Sequence, residues 1–208
     1  MTTKPDFLRD VKDHVIEIIR DGDINRHIRF RKPGSMCMHF DLITWPGYLC
    51  YTGDMGTYVF SRLDDMFQFF RKDPDQSIDF RYWAEKLQAV DASMGKGSAT
   101  EFDPERFKEV INGYRLRWIK DGRDALTKVQ RRELWEAVDD EVLHYLDQGE
   151  HTVFDEANRF WWQAGVKQYT YSFNDLWDLR FTRHTYHFLW CCHALAWGIN
   201  LYDKTTKP

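Results

Sequence analysis

The sequence predicts an α+β fold, on three observations. Apolar and polar residues alternate in short runs before Ser61, apolar residues recur at helical spacing after it, and Pro, Gly and Asp punctuate the alternating part. Strand-type and helix-type segments that separate along the chain favour α+β over α/β. The expected architecture is an N-terminal helix and a four-stranded antiparallel meander packed against a mostly helical remainder. A single domain over residues 1–208 is expected, with the meander at about 26–61 and the helical part at about 62–208.

Asp6 to Arg20 reads as an amphipathic helix. Phe7, Leu8, Val11, Val15, Ile18 and Ile19 recur at helical spacing, and Asp21-Gly22-Asp23 is the stop. Arg26–Lys32, Met36–Thr44, Tyr48–Thr52 and Thr57–Ser61 read as strands. Pro33-Gly34-Ser35, Pro46-Gly47 and Gly53-Asp54-Met55-Gly56 supply the turns between them. Arg62–Arg71 and Asp79–Val90 read as short helices parted by Asp73-Pro74-Asp75, and Ala92–Thr100 as a small, polar loop. Asp103 as cap and Pro104 in the first turn open a helix to about Lys120. Leu126–Gln148 and Phe154–Ala164 follow as helices. Val166–Leu179 is ambiguous: Tyr169 to Phe173 alternates like a strand, and Asn174-Asp175 then offers a cap.

From His184 to Tyr202 the chain carries no acidic or basic side chain apart from three histidines. A helix that is apolar on every side has no solvent face and must be buried. The segment is just long enough to span a bilayer, but the histidines, an Asn and a Thr make that costly. A core helix is expected, with Trp190, Cys191, Leu195 and Ile199 inside.

Composition narrows the function classes. Aromatic residues make up 16% of the chain, including nine Trp, which is ample material for a core or an interface. A net charge of −4 disfavours nucleic-acid binding by the surface as a whole. Acidic residues near the N-terminus interrupt any signal-like apolar run, so a cytoplasmic location is expected, with Cys37, Cys50, Cys191 and Cys192 as reduced thiols. No membrane partner and no cofactor are expected.

Three constellations could carry chemistry. His184, His187 and Cys191 fall at i, i+3 and i+7, so one helix face could present them to zinc or iron; packing of the same stripe is the plainer reading. Glu133, Glu136 and Asp140 line a helix face with His144 and Asp147, opposite Leu134, Val138, Val142 and Leu146; this is a solvated face or a dock for a basic partner. In the meander, Arg29 and Arg31 share a strand face with His27, next to Lys32. Across the Pro46-Gly47 turn Asp41 is expected opposite Thr52 and Ile43 opposite Cys50, with Cys37, His39 and Asp41 on one side of their strand. Such a face could hold an anionic ligand or RNA, or simply be a charged outer surface. Gly95-Lys96-Gly97-Ser98 lacks the glycine and the preceding strand of a phosphate loop and reads as a loop.

Two stretches, FRKPGSMCMHFDLITWPGYLCYTGDMGTYVFSRLDDMFQFFR (Phe30–Arg71) and FNDLWDLRFTRHTYHFLWCCHALAWGINLYD (Phe173–Asp203), together resemble a family of uncharacterised proteins encoded by tailed phages and prophages of bacteria. No catalytic residues come with the resemblance. It implies a phage-encoded accessory protein in the host cytoplasm that binds and inhibits or redirects a host protein or nucleoprotein complex, such as a nucleic-acid-directed defence system. Arg29, Arg31, Lys32, Glu133, Glu136 and Asp140 are the expected contact residues. The rival expectation is a metal-dependent or nucleic-acid-processing enzyme using His184, His187 and Cys191, or His39 and Asp41 with a remote carboxylate.

Overall fold

The computed structural model describes residues 2–72, 76–91, 98–122, 125–164 and 169–206. The expected turn at Asp73-Pro74-Asp75, most of the Ala92–Thr100 loop and the first residues of the 166–179 stretch lie outside these. In chain order the elements are α1 (Lys4–Asp10), β1 (Val15–Gly22), β2 (Asn25–Arg31), β3 (Phe40–Trp45), β4 (Tyr48–Gly53) and β5 (Gly56–Ser61). Then come α2 (Met66–Phe70), α3 (Phe80–Ala84), β6 (Leu87–Val90), β7 (Thr100–Phe102), α4 (Pro104–Asp121), α5 (Lys128–Glu141) and α6 (Glu150–Arg159). The chain ends with β8 (Trp162–Gln163), β9 (Thr170–Tyr171), β10 (Thr182–His184) and α7 (Tyr186–Thr206). The fold is α+β. Met1–Glu101 with His184–Pro208 makes one compact unit, and Phe102–Arg183 makes a second.

In the first unit β1 to β6 form an antiparallel meander in sequence order, two strands wider than the four expected. The additional strands are its edges. Asp6–Arg20 is not one helix: a capping box between Thr3 and Asp6 starts α1, and the chain leaves the helix at Val11. Val15, Ile16, Ile18 and Ile19 then form β1, because β-branched side chains fit a pleated surface and Ile16 and Ile18 fall opposite the inward Phe30 and Ile28. A register shift between Ile18 and Arg20 gives these residues a spacing that imitates a helical one. At the other edge, Asp79 caps α3 at the Tyr82 N–H, but the helix ends after Ala84 and Leu87–Val90 pairs with β5. The second strand of the expected meander also starts late, at Phe40. Asp54 accepts a hydrogen bond from the Met38 N–H (2.6 Å), and Met38 takes a positive φ, which holds Met36–His39 as a turn.

Register through the sheet centre is as the sequence implies: Asp41 faces Thr52, Ile43 faces Cys50, and Trp45 faces Tyr48 across Pro46-Gly47, where Gly47 has φ +83°. One sheet face, carrying Ile28, Phe30, Phe40, Leu42, Leu49, Tyr51, Tyr58 and Phe60, is fully buried in a core it shares with α7. The helix α7 is the core element expected: Trp190, Cys191, Leu195 and Ile199 have no exposed surface. Gly198 lets it approach closely, since a Cβ there would sit 3.1 Å from Phe30 Cζ and 3.2 Å from Leu42 Cδ1. Arg26, also buried, pairs with Asp65 through two bonds (2.8 and 3.2 Å) and lies over the Phe67 ring.

The second unit is mostly helical. Asp103 caps α4 and Pro104 opens it, as expected, and Thr127 with Gln130 forms a capping box on α5. The Leu126–Gln148 segment bends after Glu141 into a 3-10 turn over Leu143–Gln148, and α6 covers Glu150–Arg159 rather than 154–164. Its core gathers Phe107, Ile111, Leu134, Val138, Val153 and Phe181. Arg115 is buried there, its guanidinium 3.7 Å from the Trp135 ring centre and 2.7 Å from Asp139. No helix among the described residues is long and apolar enough to cross a membrane.

Candidate binding surfaces

The helices of the first unit pack on one side of the meander, and strand alternation directs a second set of side chains the other way. His27, Arg29, Arg31, Asp41, Ile43, Cys50, Thr52, Thr57 and Val59 occupy these alternate positions. The face is divided. Toward one end, Asp41 accepts two bonds from Arg29 (2.9 Å each) and one from His27 Nε2 (2.7 Å), although its own side chain is almost fully enclosed. Burial pushes the Asp41 carboxyl up, but the hydrogen bonds from Arg29 and then His27 outweigh it and hold the group below the usual carboxylate range. Toward the other end, Ile43, Cys50 and Val59 make a half-buried apolar strip beside Trp45 and Tyr48. The two rings stack at 5.4 Å with planes 14° apart, and each is 39% exposed.

The expected basic surface is therefore internally neutralised. Arg29 is bound to Asp41, Arg31 donates to Glu17 (2.7 Å), and Lys32 donates to Asp13 (3.0 Å). Cations committed to carboxylates offer little net field to an RNA backbone. Cys37 and His39 do not join Asp41 on a strand face, because both lie in the turn before Phe40; His39 Nδ1 is instead near the Met36 carbonyl (2.7 Å) and Asp54 (3.2 Å).

The acidic residues of α5 take the expected arrangement. Glu133, Glu136 and Asp140 are exposed, while Leu134, Val138 and Val142 are buried on the opposite side. Glu136 accepts from Arg132 (2.7 Å), one turn away.

The metal constellation is not assembled. His184 ends β10 instead of sharing a helix face; its Nδ1 donates to the Ala99 carbonyl (3.2 Å) and its ring packs against Phe188. His187 sits in the first turn of α7 beside the Tyr186 ring, and Cys191 is wholly enclosed, where burial pushes its thiol well up. Among the described residues no group of three His, Cys, Asp or Glu side chains could hold a metal ion.

Sequence reading missed one further site, a cleft of about 340 Å³ in the first unit. It draws on α1 (Lys4, Phe7, Leu8), the approach to α3 (Lys72, Ile78, Phe80) and α7 (His193, Ala196, Trp197, Asn200), with Gln76 and Ser77 beside them. Its walls are chiefly hydrocarbon and aromatic ring. His193 stacks on Phe7 (6.0 Å, 27°) and meets Phe80 edge-on (5.5 Å). Burial, and then the nearby Lys4 cation, lowers the pKa of His193, which keeps the ring neutral. Residues so distant in sequence carry no shared pattern that could announce the cleft. Comparison of the chain with family models, curated proteins and solved structures gives no match.

Proposed function

We propose that this chain is a phage-encoded accessory protein that works by binding, occupying a host protein or nucleoprotein complex in the cytoplasm and inhibiting or redirecting it. A nucleic-acid-directed defence complex is the kind of target this reading has in view. The observation that carries it is the stacked Trp45–Tyr48 pair beside Ile43, Cys50 and Val59 on the half-exposed sheet face. Aromatic anchors around a small apolar centre, with arginines alongside, are what protein interfaces concentrate. The Arg29–Asp41–His27 cluster adds to this: its geometry is fixed before any partner arrives, so a partner would meet an ordered polar rim. Neutralisation of Arg29, Arg31 and Lys32 by Asp41, Glu17 and Asp13 favours a protein surface over a bare nucleic-acid backbone as the contact.

The test is capture from a bacterial host lysate on the immobilised full chain. The wild type and a Glu133→Ala/Glu136→Ala/Asp140→Ala variant should retain the same partner, while Trp45→Ala/Tyr48→Ala and Val59→Glu should each lose it at least about tenfold, as expected for hot-spot positions. Retention of the partner by the two sheet-face variants, or turnover of a substrate without any partner, overturns the reading.

A further inference from the structure

The meander of the first unit is an open sheet, so it ends in two edge strands, β1 and β6. An edge strand presents a row of backbone N–H and C=O groups that no neighbouring strand takes up, and natural sheets blunt such edges by shortness, proline or lysine. β6 is blunted by its length of four residues. β1 is not: it runs for eight residues, about 27 Å at the rise of a strand, and contains neither Pro nor Lys. Six of the eight are exposed, among them Val15 (43%), Ile18 (40%) and Ile19 (50%). Three exposed branched hydrophobes on one open edge are what a pairing strand would cover.

The register shift between Ile18 and Arg20 inserts one residue, Ile19, and so resets which side chains point outward. Val15 and Glu17 lie opposite Arg31 and Arg29 on the outer face, and after the insertion Arg20 lies opposite His27 on that same face. Ile16, Ile18 and Asp21 lie opposite the buried Phe30, Ile28 and Arg26.

We propose that β1 pairs antiparallel with β1 of a second copy of this chain, about a two-fold axis that passes between Ile18 and Ile19. The strand is self-complementary in that register. Glu17 falls opposite Arg20 of the second copy, and Arg20 opposite Glu17 of the second copy, both pairs on the outer face. Opposite charges across an antiparallel ladder are favourable, and like charges there are destabilising. Glu17 can keep its bond from Arg31 (2.7 Å), since a carboxylate has about four acceptor positions. Ile18 and Ile19 meet the same two residues of the second copy at the centre. Every outward residue then faces an outward one, because the inserted residue of each strand lies beside the axis; a slip by one residue sets outward side chains against inward ones. One strand pair covers little area next to the roughly 1,200–2,000 Å² of a stable complex, so the dimer forms at high protein concentration.

Sedimentation equilibrium of the full chain tests this. The wild type should pass from monomer to dimer as its concentration rises to about 1 mM. Ile19→Lys, at an exposed position, should weaken the dimer at least about tenfold. Glu17→Arg and Arg20→Glu should each be monomeric alone, because like charges meet twice in either homodimer. Mixed in equal amounts the two variants should recover the dimer, because both cross-strand pairs then join opposite charges. Near-UV circular dichroism checks that each variant is folded; if Glu17→Arg is not, through loss of the Arg31 pair, Ile19→Lys and Arg20→Glu decide alone. A chain that stays monomeric throughout, a dimer indifferent to Ile19→Lys and Arg20→Glu, or folded charge variants that do not associate on mixing overturns the proposal. If the wild type is monomeric and Ile19→Lys loses a captured host protein, the edge belongs to a strand of that protein and the second copy is ruled out. None of these variants alters Trp45 or Tyr48, so failure here is distinct from failure of the sheet-face contact.

Discussion

Replacing Leu195 by Ala tests whether α7 is the central element of the first unit. Leu195 has no exposed surface and belongs to the cluster that includes Phe30, Phe40, Trp190 and Tyr58. The substitution removes three carbon atoms, at about 0.8 kcal/mol each for transfer from water. A cavity term of about 24 cal/mol per Å³ of unfilled space adds to this. Collapse into the gap is restricted, because Phe30 and Phe40 are stacked at 4.7 Å and Phe40 meets Trp190 edge-on at 5.6 Å. A loss of about 3–4 kcal/mol follows, near the middle of the range for such changes. For a cooperative unit built from Met1–Glu101 and His184–Pro208 that corresponds to a fall in Tm of roughly 10–14 °C. Urea unfolding followed by near-UV circular dichroism measures it, with Leu116→Ala as control, since Leu116 is 58% exposed and should change stability by less than about 0.5 kcal/mol. A loss under about 1 kcal/mol for Leu195→Ala, or equal losses for both variants, would refute the reasoning.

Three other outcomes are expected. Asp65→Ala strands the buried Arg26 guanidinium and removes the cap at the Phe67 N–H, so it should cost about 3–5 kcal/mol, and adding Arg26→Met should recover most of that; no recovery in denaturation would show that the pair is not the cause. Stability should fall on acidification in two windows. His193, lowered from 6.5 by burial and Lys4, contributes fully above that value and loses its contribution as pH drops toward its folded pKa; Asp41, held below 3.8, does the same below 3.8. His193→Phe should flatten the upper window and Asp41→Asn the lower, and unfolding curves measured across pH check both. A thiol reagent should label the exposed Cys37 quickly and Cys50 slowly, leaving Cys191 and Cys192 untouched until the protein unfolds; rapid native labelling of the last two would place α7 outside the core.

Where local chemistry and tertiary packing agree, the sequence is legible. The central strands were readable because alternation, turn residues and a two-residue connection at Pro46-Gly47 all point to one register, and Asp41 and Thr52 do face each other. The C-terminal helix was readable because an uncharged segment has nowhere to go but the interior. The edge strands were not. In β1 the irregularity between Ile18 and Arg20 replaces strict alternation, and β6 is four residues long with one helix turn just before it, so neither leaves a clean period of two. His184 shows a different limit: its spacing to His187 and Cys191 implies a shared face only if the helix includes it, and α7 begins at Tyr186. Charges are the third limit. Arg29, Arg31 and Lys32 read as a basic strip, but their carboxylate partners Asp41, Glu17 and Asp13 come from neighbouring strands and turns that one-dimensional spacing does not reveal. The cleft, assembled from α1, Lys72 with residues 76–80, and α7, is a product of tertiary structure alone.

Site-specific photocrosslinking reads directly whether the half-exposed sheet face makes the proposed protein contact. A photoreactive phenylalanine analogue placed at Val59, in the apolar strip, should crosslink a single host protein when the chain is irradiated in a bacterial lysate. The same analogue at Val129, a 64% exposed position on α5, should not. A crosslink to that protein from position 129 but not from 59 would place the contact on α5 and not on the sheet face.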